Sequence, residues 1–244
     1  MKLLAFDTST ELISIAVTRS EGGRAQVWQH TGAGGAQASS ALIPAIETLM
    51  AEAGLAYADL DAIAFGRGPG SFTGLRTACA VAQGLGLGAG VPLLPVDTLL
   101  AVAEEARAQH AAQADTWRVL ALLDARMDEL YAAPYAWDGA RWTACAPERL
   151  CRPQDLQLHE AQALAGNALA AYGERLPVPP QLPCWEVLPT AAAMLRLAPQ
   201  LLAAGNAVPA QEALPHYIRD KVALTTEERA AAKAGPAPRA APGT

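Results

Sequence analysis

The chain has 244 residues, with 18 Lys and Arg against 24 Asp and Glu and a formal net charge of −6. That length allows one large or two small domains, each able to bury a core, and the acidic balance gives the whole chain no electrostatic footprint for nucleic acid. If RNA is involved, another subunit should carry most of the binding. Hydrophobic residues reach 52%, swollen by alanine, while aromatics are 5%, which fits the soluble globular class.

Cys79, Cys145, Cys151 and Cys184 form no Cys-x-x-Cys pair and no disulfide-framework spacing, as suits a reducing compartment. The first apolar run stops at Asp7, too short for a signal peptide, and no run reaches membrane-spanning length. The expectation is a cytoplasmic protein without membrane contact.

In chain order, Leu3 to Phe6 is a short apolar run ending at Asp7. Thr8-Ser9-Thr10 makes a polar turn, and Ile13, Ile15 and Val17 then alternate with smaller or polar residues, so the start reads as a β-hairpin. Val27-Trp28 suggests a third strand. Over 37–53, Leu42, Ile46, Leu49 and Ala53 recur at helical spacing, and Gly54 is placed to stop the helix. A buried strand over 62–65 leads into Gly66-Arg67-Gly68-Pro69-Gly70-Ser71-Phe72-Thr73-Gly74-Leu75-Arg76, the most informative run in the chain. A second helix follows over 72–87, with Leu75, Cys79, Ala82 and Leu85 on one face. A strand over 91–96 and a helix over 98–109 complete the first half.

The glycine-rich run sits where a strand hands over to a helix, a place where backbone N–H groups can hold an anion. It reads as a phosphate cradle, a relic of one, or a packing joint in which Ser71 caps the helix. A Walker A loop is excluded because no lysine lies between Lys2 and Lys221, and a dinucleotide fingerprint fails because the sixth position is Ser71. Gly84, Gly86 and Gly88 would each cost about 0.5–1 kcal/mol relative to alanine inside a helix. With Ala78, Ala80 and Ala82 they make a small-residue helix against which an internal or foreign helix can approach, unless the helix ends at Gly84.

After residue 115 the pattern restarts. Leu120-Ala121-Leu122-Leu123-Asp124 repeats Leu3-Leu4-Ala5-Phe6-Asp7, and a polar turn and a second strand over 130–135 follow, which suggests a duplicated α/β unit with a cleft between the copies. Residues 142–150 and 161–164 read as strands, 177–183 as a proline-rich loop, and 190–204 as a helix ended by Gly205. Residues 234–244 lack large apolar side chains and are expected to be disordered.

Candidate chemistry is sparse. His30, His110, His159 and His216 make no local ligand pair, and six serines with no Gly-x-Ser-x-Gly elbow give no nucleophile. Asp7, followed by Thr8 and Ser9, has the make-up of a magnesium and phosphate site, or of a capped turn. Its counterpart Asp124 precedes Ala125-Arg126-Met127-Asp128, a turn without the glycines a second phosphate jaw would need, and reads better as a turn cap.

Leu4-Ala5-Phe6-Asp7-Thr8-Ser9-Thr10, the glycine-rich run, Leu123-Asp124-Ala125-Arg126-Met127 with Glu129-Leu130-Tyr131, and Tyr217-Ile218-Arg219 together closely resemble the TsaB family, also called YeaZ. The motifs stand in the family's order over about residues 1–224, most weakly over 140–210. The resemblance implies an actin-like (ASKHA) α/β fold of duplicated ribonuclease-H-like lobes, 1–98 and 99–224, with the last helix placed to pack back on the first lobe and a flexible tail over 225–244. It implies a noncatalytic subunit, without cofactor, metal or catalytic residue, in the synthesis of N6-threonylcarbamoyladenosine beside the tRNA anticodon.

In that family a TsaD-type sister subunit holds the metal and transfers the threonylcarbamoyl group, and a TsaE-type ATPase supports turnover. TsaB-like chains are the dimerisation partner the sister requires. The implied partners are therefore these two proteins, a second copy when the sister is absent, and tRNA only through the complex. The implied partner-binding helices carry Leu42, Ile46 and Leu49 in the first, and Phe72, Leu75, Arg76, Cys79 and Ala82 in the second. Ala38 stands where many family members keep a histidine, a departure that argues further against metal. Asp7, Thr8, Ser9, Gly68, Gly70 and Ser71 would be a vestigial nucleotide site. The alternative is an independent nucleotide-dependent ATPase or kinase that uses Asp7, Ser9 and the turn over 68–71.

Overall fold

Alternating burial along the first hairpin sets the architecture. The computed structural model describes residues 1–219. Strand β1 (Lys2–Asp7) pairs antiparallel with β2 (Leu12–Glu21), which pairs antiparallel with β3 (Arg24–Ala33). On the other side of β1, strands β4 (Ala62–Gly68) and β5 (Leu93–Asp97) continue in parallel, giving the order β3-β2-β1-β4-β5. Parallel neighbours need crossovers. These are supplied by α1 (Ala38–Ala53) and α2 (Phe72–Ala89).

The second half repeats the plan. After α3 (Thr98–His110), β6 (Trp117–Asp124) pairs antiparallel with β7 (Leu130–Trp137), which carries β8 (Trp142–Ala144) and β9 (Arg149–Cys151) on its far edge. Strands β10 (Ala163–Ala165) and β11 (Cys184–Trp185) follow in parallel on the other side of β6. Each sheet thus has its first strand central, an antiparallel hairpin to one side and parallel strands to the other. The chain is a duplicated α/β fold, and β1 and β6 are the paired apolar runs that end in Asp7 and Asp124.

The layers follow from the two faces of each strand. Leu4 and Phe6 of β1 bury against α1 and α2, while Leu3 and Ala5 point into a central core with α3 and α5 (Ala191–Ala203) that also takes Val119, Ala121 and Leu123 of β6. Leu120 and Leu122 face a third cluster with α4 (Ala168–Tyr172). Helix α5, the last α-helix among the described residues, packs on β1, β2, β4 and β5 as well as on α3 and so covers the first sheet. Between the sheets, buried Glu104 accepts from Arg107 Nε at 2.9 Å, Arg196 Nε at 2.7 Å and Trp142 Nε1 at 3.0 Å, tying α3, α5 and β8 together.

Several boundaries differ from the sequence reading. The span 142–150 resolves into two short strands, because Pro147 lacks the N–H a continuous ladder needs. Helix α2 does not stop at Gly84. It runs to Ala89 and ends on left-handed Gly90. No helix among the described residues is long and apolar enough to cross a membrane. The tail expected over 225–244, and the last residues of the lobe over 220–224, lie outside the described residues.

Candidate functional site: the cleft between the two hairpin turns

The first wall of the cleft is a joint between the turn after β1 and the glycine-rich run after β4. Asp7 is buried; its Oδ1 accepts from Ser9 N at 2.9 Å and Ser9 Oγ at 2.6 Å, while Oδ2 has no partner. Burial pushes its carboxyl from the usual 3.8 up to about 6, against the opposing pull of the two Ser9 bonds. Thr8 Oγ1 donates to the Gly74 carbonyl at 2.7 Å, and Ser71 N donates to the Ser9 carbonyl at 2.7 Å.

The glycines make that joint possible. A Cβ on Gly70 would stand 2.6 Å from Ser9 Cβ and 2.8 Å from Ser9 O, and one on Gly74 would overlap the Thr8 carbonyl. The run is therefore packed flush against the first turn. Ser71 occupies the N-cap position of α2, but its side chain makes no capping bond; its Oγ lies 3.4 Å from Thr73 Oγ1. The expected serine cap is absent, and Ser71 holds the joint through its backbone N–H, which donates to Ser9.

The opposite wall is the β6–β7 turn. Arg126, Met127 and Asp128 have φ of 60°, 54° and 65°, three successive non-glycine residues in the left-handed region. Such residues persist only where their surroundings over-determine them. Here Asp124 Oδ1 accepts from Arg126 N at 2.8 Å, Asn167 Oδ1 accepts from Asp124 N at 2.9 Å, and Tyr172 Oη donates to Asp124 Oδ1 and the Glu129 carbonyl, both at 2.7 Å. Arg175 grips Asp128 with both guanidinium nitrogens. As the sequence suggested, Asp124 works as a turn cap.

Between the walls lies a cavity of about 360 Å³, reached by Ser9, Ser71, Asp124, Asn167, Tyr131 and Arg219 among others. Ser9, Gly70 and Ser71 line it, whereas Asp7, Thr8 and Gly68 stand behind the wall. Of the six residues expected around a nucleotide, Asp7, Thr8, Ser9 and Ser71 bond to one another or to Gly74. Among the described residues, no three His, Cys, Asp or Glu side chains converge in a metal-holding arrangement.

The expected partner-binding residues divide sharply. Leu42, Ile46, Leu49, Cys79 and Ala82 are buried in the chain's own first-lobe core, and Leu75 is buried beside the cleft. Helical apolar periodicity marks the face turned to the sheet. Phe72 and Arg76 do reach the surface, where the Arg76 guanidinium lies 4.0 Å over the Phe72 ring. The outer faces are instead Ile43, Glu47 and Ala51 on α1 and Thr73, Ala80, Gly84, Leu87 and Gly88 on α2. Sequence reasoning also missed Asn167 and Tyr172, whose role in bracing the Asp124 turn depends on pairing across 43 and 48 residues.

Residues 30–240 match the family described as TsaD: tRNA N6-adenosine threonylcarbamoyltransferase. The chain is 33% identical to the tRNA threonylcarbamoyladenosine biosynthesis protein TsaB of Escherichia coli K12, over 91% of this chain and 96% of that one. It is 34% identical to the protein of the same name from Haemophilus influenzae, over 91% and 95%. A solved structure, YeaZ from Pseudomonas aeruginosa, is 37% identical and superposes with a TM-score of 0.78 over 88% of this chain and 99% of its own.

Proposed function

Because the chain belongs to the TsaB family, also called YeaZ, we propose that it serves N6-threonylcarbamoyladenosine synthesis as a noncatalytic scaffold. It binds a TsaD-type catalytic subunit through the outer faces of α1 and α2, with a TsaE-type ATPase joining the assembly. It pairs with a second copy when the sister is absent, and meets tRNA only through the complex, in the cytoplasm.

One observation carries this reading. Gly84 and Gly88 lie within α2, and a Cβ on either would meet nothing within 4 Å, while Leu87 between them is 65% exposed. Gly86, in the same helix, is spoken for: a Cβ there would stand 2.7 Å from Leu93 Cδ2. Nothing within the chain's own described fold uses the other two glycines. A helix that keeps small residues on an open face, next to an exposed leucine, supports close approach by another helix. The rival reading, an independent ATPase or kinase, draws on the interlobe cavity, but most of the polar groups it would need are already bonded to one another.

The test mixes this chain with its cognate TsaD-type subunit and measures the mass of the product and tRNA modification. Expected are a complex and restored activity with the native chain, and loss of both with Ala80→Arg or Gly84→Arg while each variant's melting temperature stays near native. Substitution at Ala78 or Ala82 would be uninformative, since both are fully buried. Normal co-purification of the arginine variants would remove the α2 interface. ATP turnover by the isolated chain, abolished by Asp7→Ala, would favour the rival.

A further inference from the structure

The Tyr217-Ile218-Arg219 motif is accounted for neither by the glycine joint nor by the outer face of α2. Upstream of it the chain follows α2, where the Ala213 carbonyl accepts from Gln83 Nε2 at 2.9 Å and from Cys79 Sγ at 3.5 Å. It then leaves the helix and crosses the cleft.

Its first anchors are on the first lobe. His216 N donates to the Arg67 carbonyl at 2.7 Å, and Gly68, with φ of 125°, leaves room for the His216 carbonyl where a Cβ would overlap it. The Tyr217 ring sits 5.3 Å from that of Phe72, and its hydroxyl accepts from Arg76 Nε at 3.3 Å. Two residues on, the contacts belong to the second lobe. Arg219 Nη2 donates to the Ala125 carbonyl at 3.0 Å and the Arg126 carbonyl at 3.3 Å, and lies 2.8 Å from Glu129 Oε2. The His216 imidazole pairs with Glu148 of that lobe, and Ile218 packs against the central core.

We infer that residues 216–219 are an interlobe latch. Arg219 holds the left-handed turn over 125–128 in place, and Tyr217 and His216 hold the first turn of α2 and the end of β4, so the two jaws of the cleft move as one unit. The guanidinium suits this task because it spans the turn with two nitrogens, Nη2 facing the two carbonyls and the carboxylate while Nη1 donates to Met127 Sδ at 2.9 Å, a spread that one lysine ammonium does not cover. The anchors are polar and small in apolar area, so the latch opens more readily than the core it spans. This inference is independent of any partner protein.

The test is hydrogen exchange on the isolated full chain, comparing native protein with Arg219→Ala, Arg219→Lys and Glu129→Gln. Two amides report: Glu129 N–H, bonded to the Arg126 carbonyl in the turn, and His216 N–H, bonded to Arg67 on the other jaw. Loss of a hydrogen bond to a charged group should accelerate exchange about tenfold. The latch requires both amides to accelerate together in Arg219→Ala, with Arg219→Lys close to it. Acceleration at Glu129 alone, or at neither amide, overturns it. Should Arg219→Ala fail to fold, Glu129→Gln decides the matter in the same way, since it removes the charge partner without removing bulk.

Discussion

The Asp7 carboxylate fills the space that a side chain at position 66 would need: a Cβ on Gly66 would overlap Oδ2, stand 3.0 Å from Cγ and lie 3.1 Å from Met194 Cε of α5. The glycine that precedes the joint is therefore there to accommodate a buried acid. That acid is not in contact with the cleft, and one of its oxygens is unpartnered.

A pH dependence follows from Asp7. Its carboxyl is raised from 3.8 to about 6 in the fold, so between those values the folded chain binds more protons than the unfolded one. The sign is then fixed: this contribution to stability is fully present below pH 4 and is lost as pH rises through 6. Two pKa units correspond to on the order of 3 kcal/mol. Asp7→Asn should match the native stability at pH 4 and exceed it at pH 7.5. Urea denaturation at both values checks this, and an equal difference at the two would refute it.

Glycine substitutions should split by location. Gly84→Ala and Gly88→Ala, in open helical positions, should each stabilise the chain by about 0.5–1 kcal/mol. Gly70→Ala and Gly74→Ala force overlap with Ser9 and Thr8 and should cost about 1–3 kcal/mol or more. Thermal denaturation of the four variants gives the answer, and a common sign for all four would contradict the packing described.

Glu104 should be more costly to lose than its partners. Its side chain is 3% exposed, against 37% for Arg196. Glu104→Ala leaves Arg107 and Trp142 Nε1 without their acceptor in the interlobe core and should cost about 3–5 kcal/mol. Arg196→Ala, at a half-exposed site, should cost about 1 kcal/mol. Equal losses in chemical denaturation would show that the network is not centred on Glu104.

Much of the fold was legible because its signals are local. The apolar run ending in aspartate, twice, announced the hairpin that opens each half, and Gly54 and Gly205 stood where α1 and α5 give way to turns. The second lobe was less clear, since β8, β9, β10 and β11 are two or three residues long and take their pairing from distant strands. For the site, the Asp7 turn and the glycine run were readable as neighbours, but not which way Asp7 pointed. The burial of most of the expected partner-binding residues was hidden for a related reason. Periodicity identifies an apolar face without saying whether a sheet already covers it, and here the sheet covers it on both α1 and α2.

Helix α5 has a consequence for how the protein is made. The five strands of the first sheet are all in place once β5 has formed at residue 97, only the bridge from Leu93 to Val208 coming later, and α1 and α2 already cover one face of it. Its other face, with Leu3, Ala5, Ala64 and Val96, is covered by α3 and by a helix that ends at Ala203. During synthesis from the N-terminus, that surface stays partly bare while about a hundred further residues emerge. Until α5 emerges, the first sheet of a nascent chain carries an apolar face that only α3 can shield.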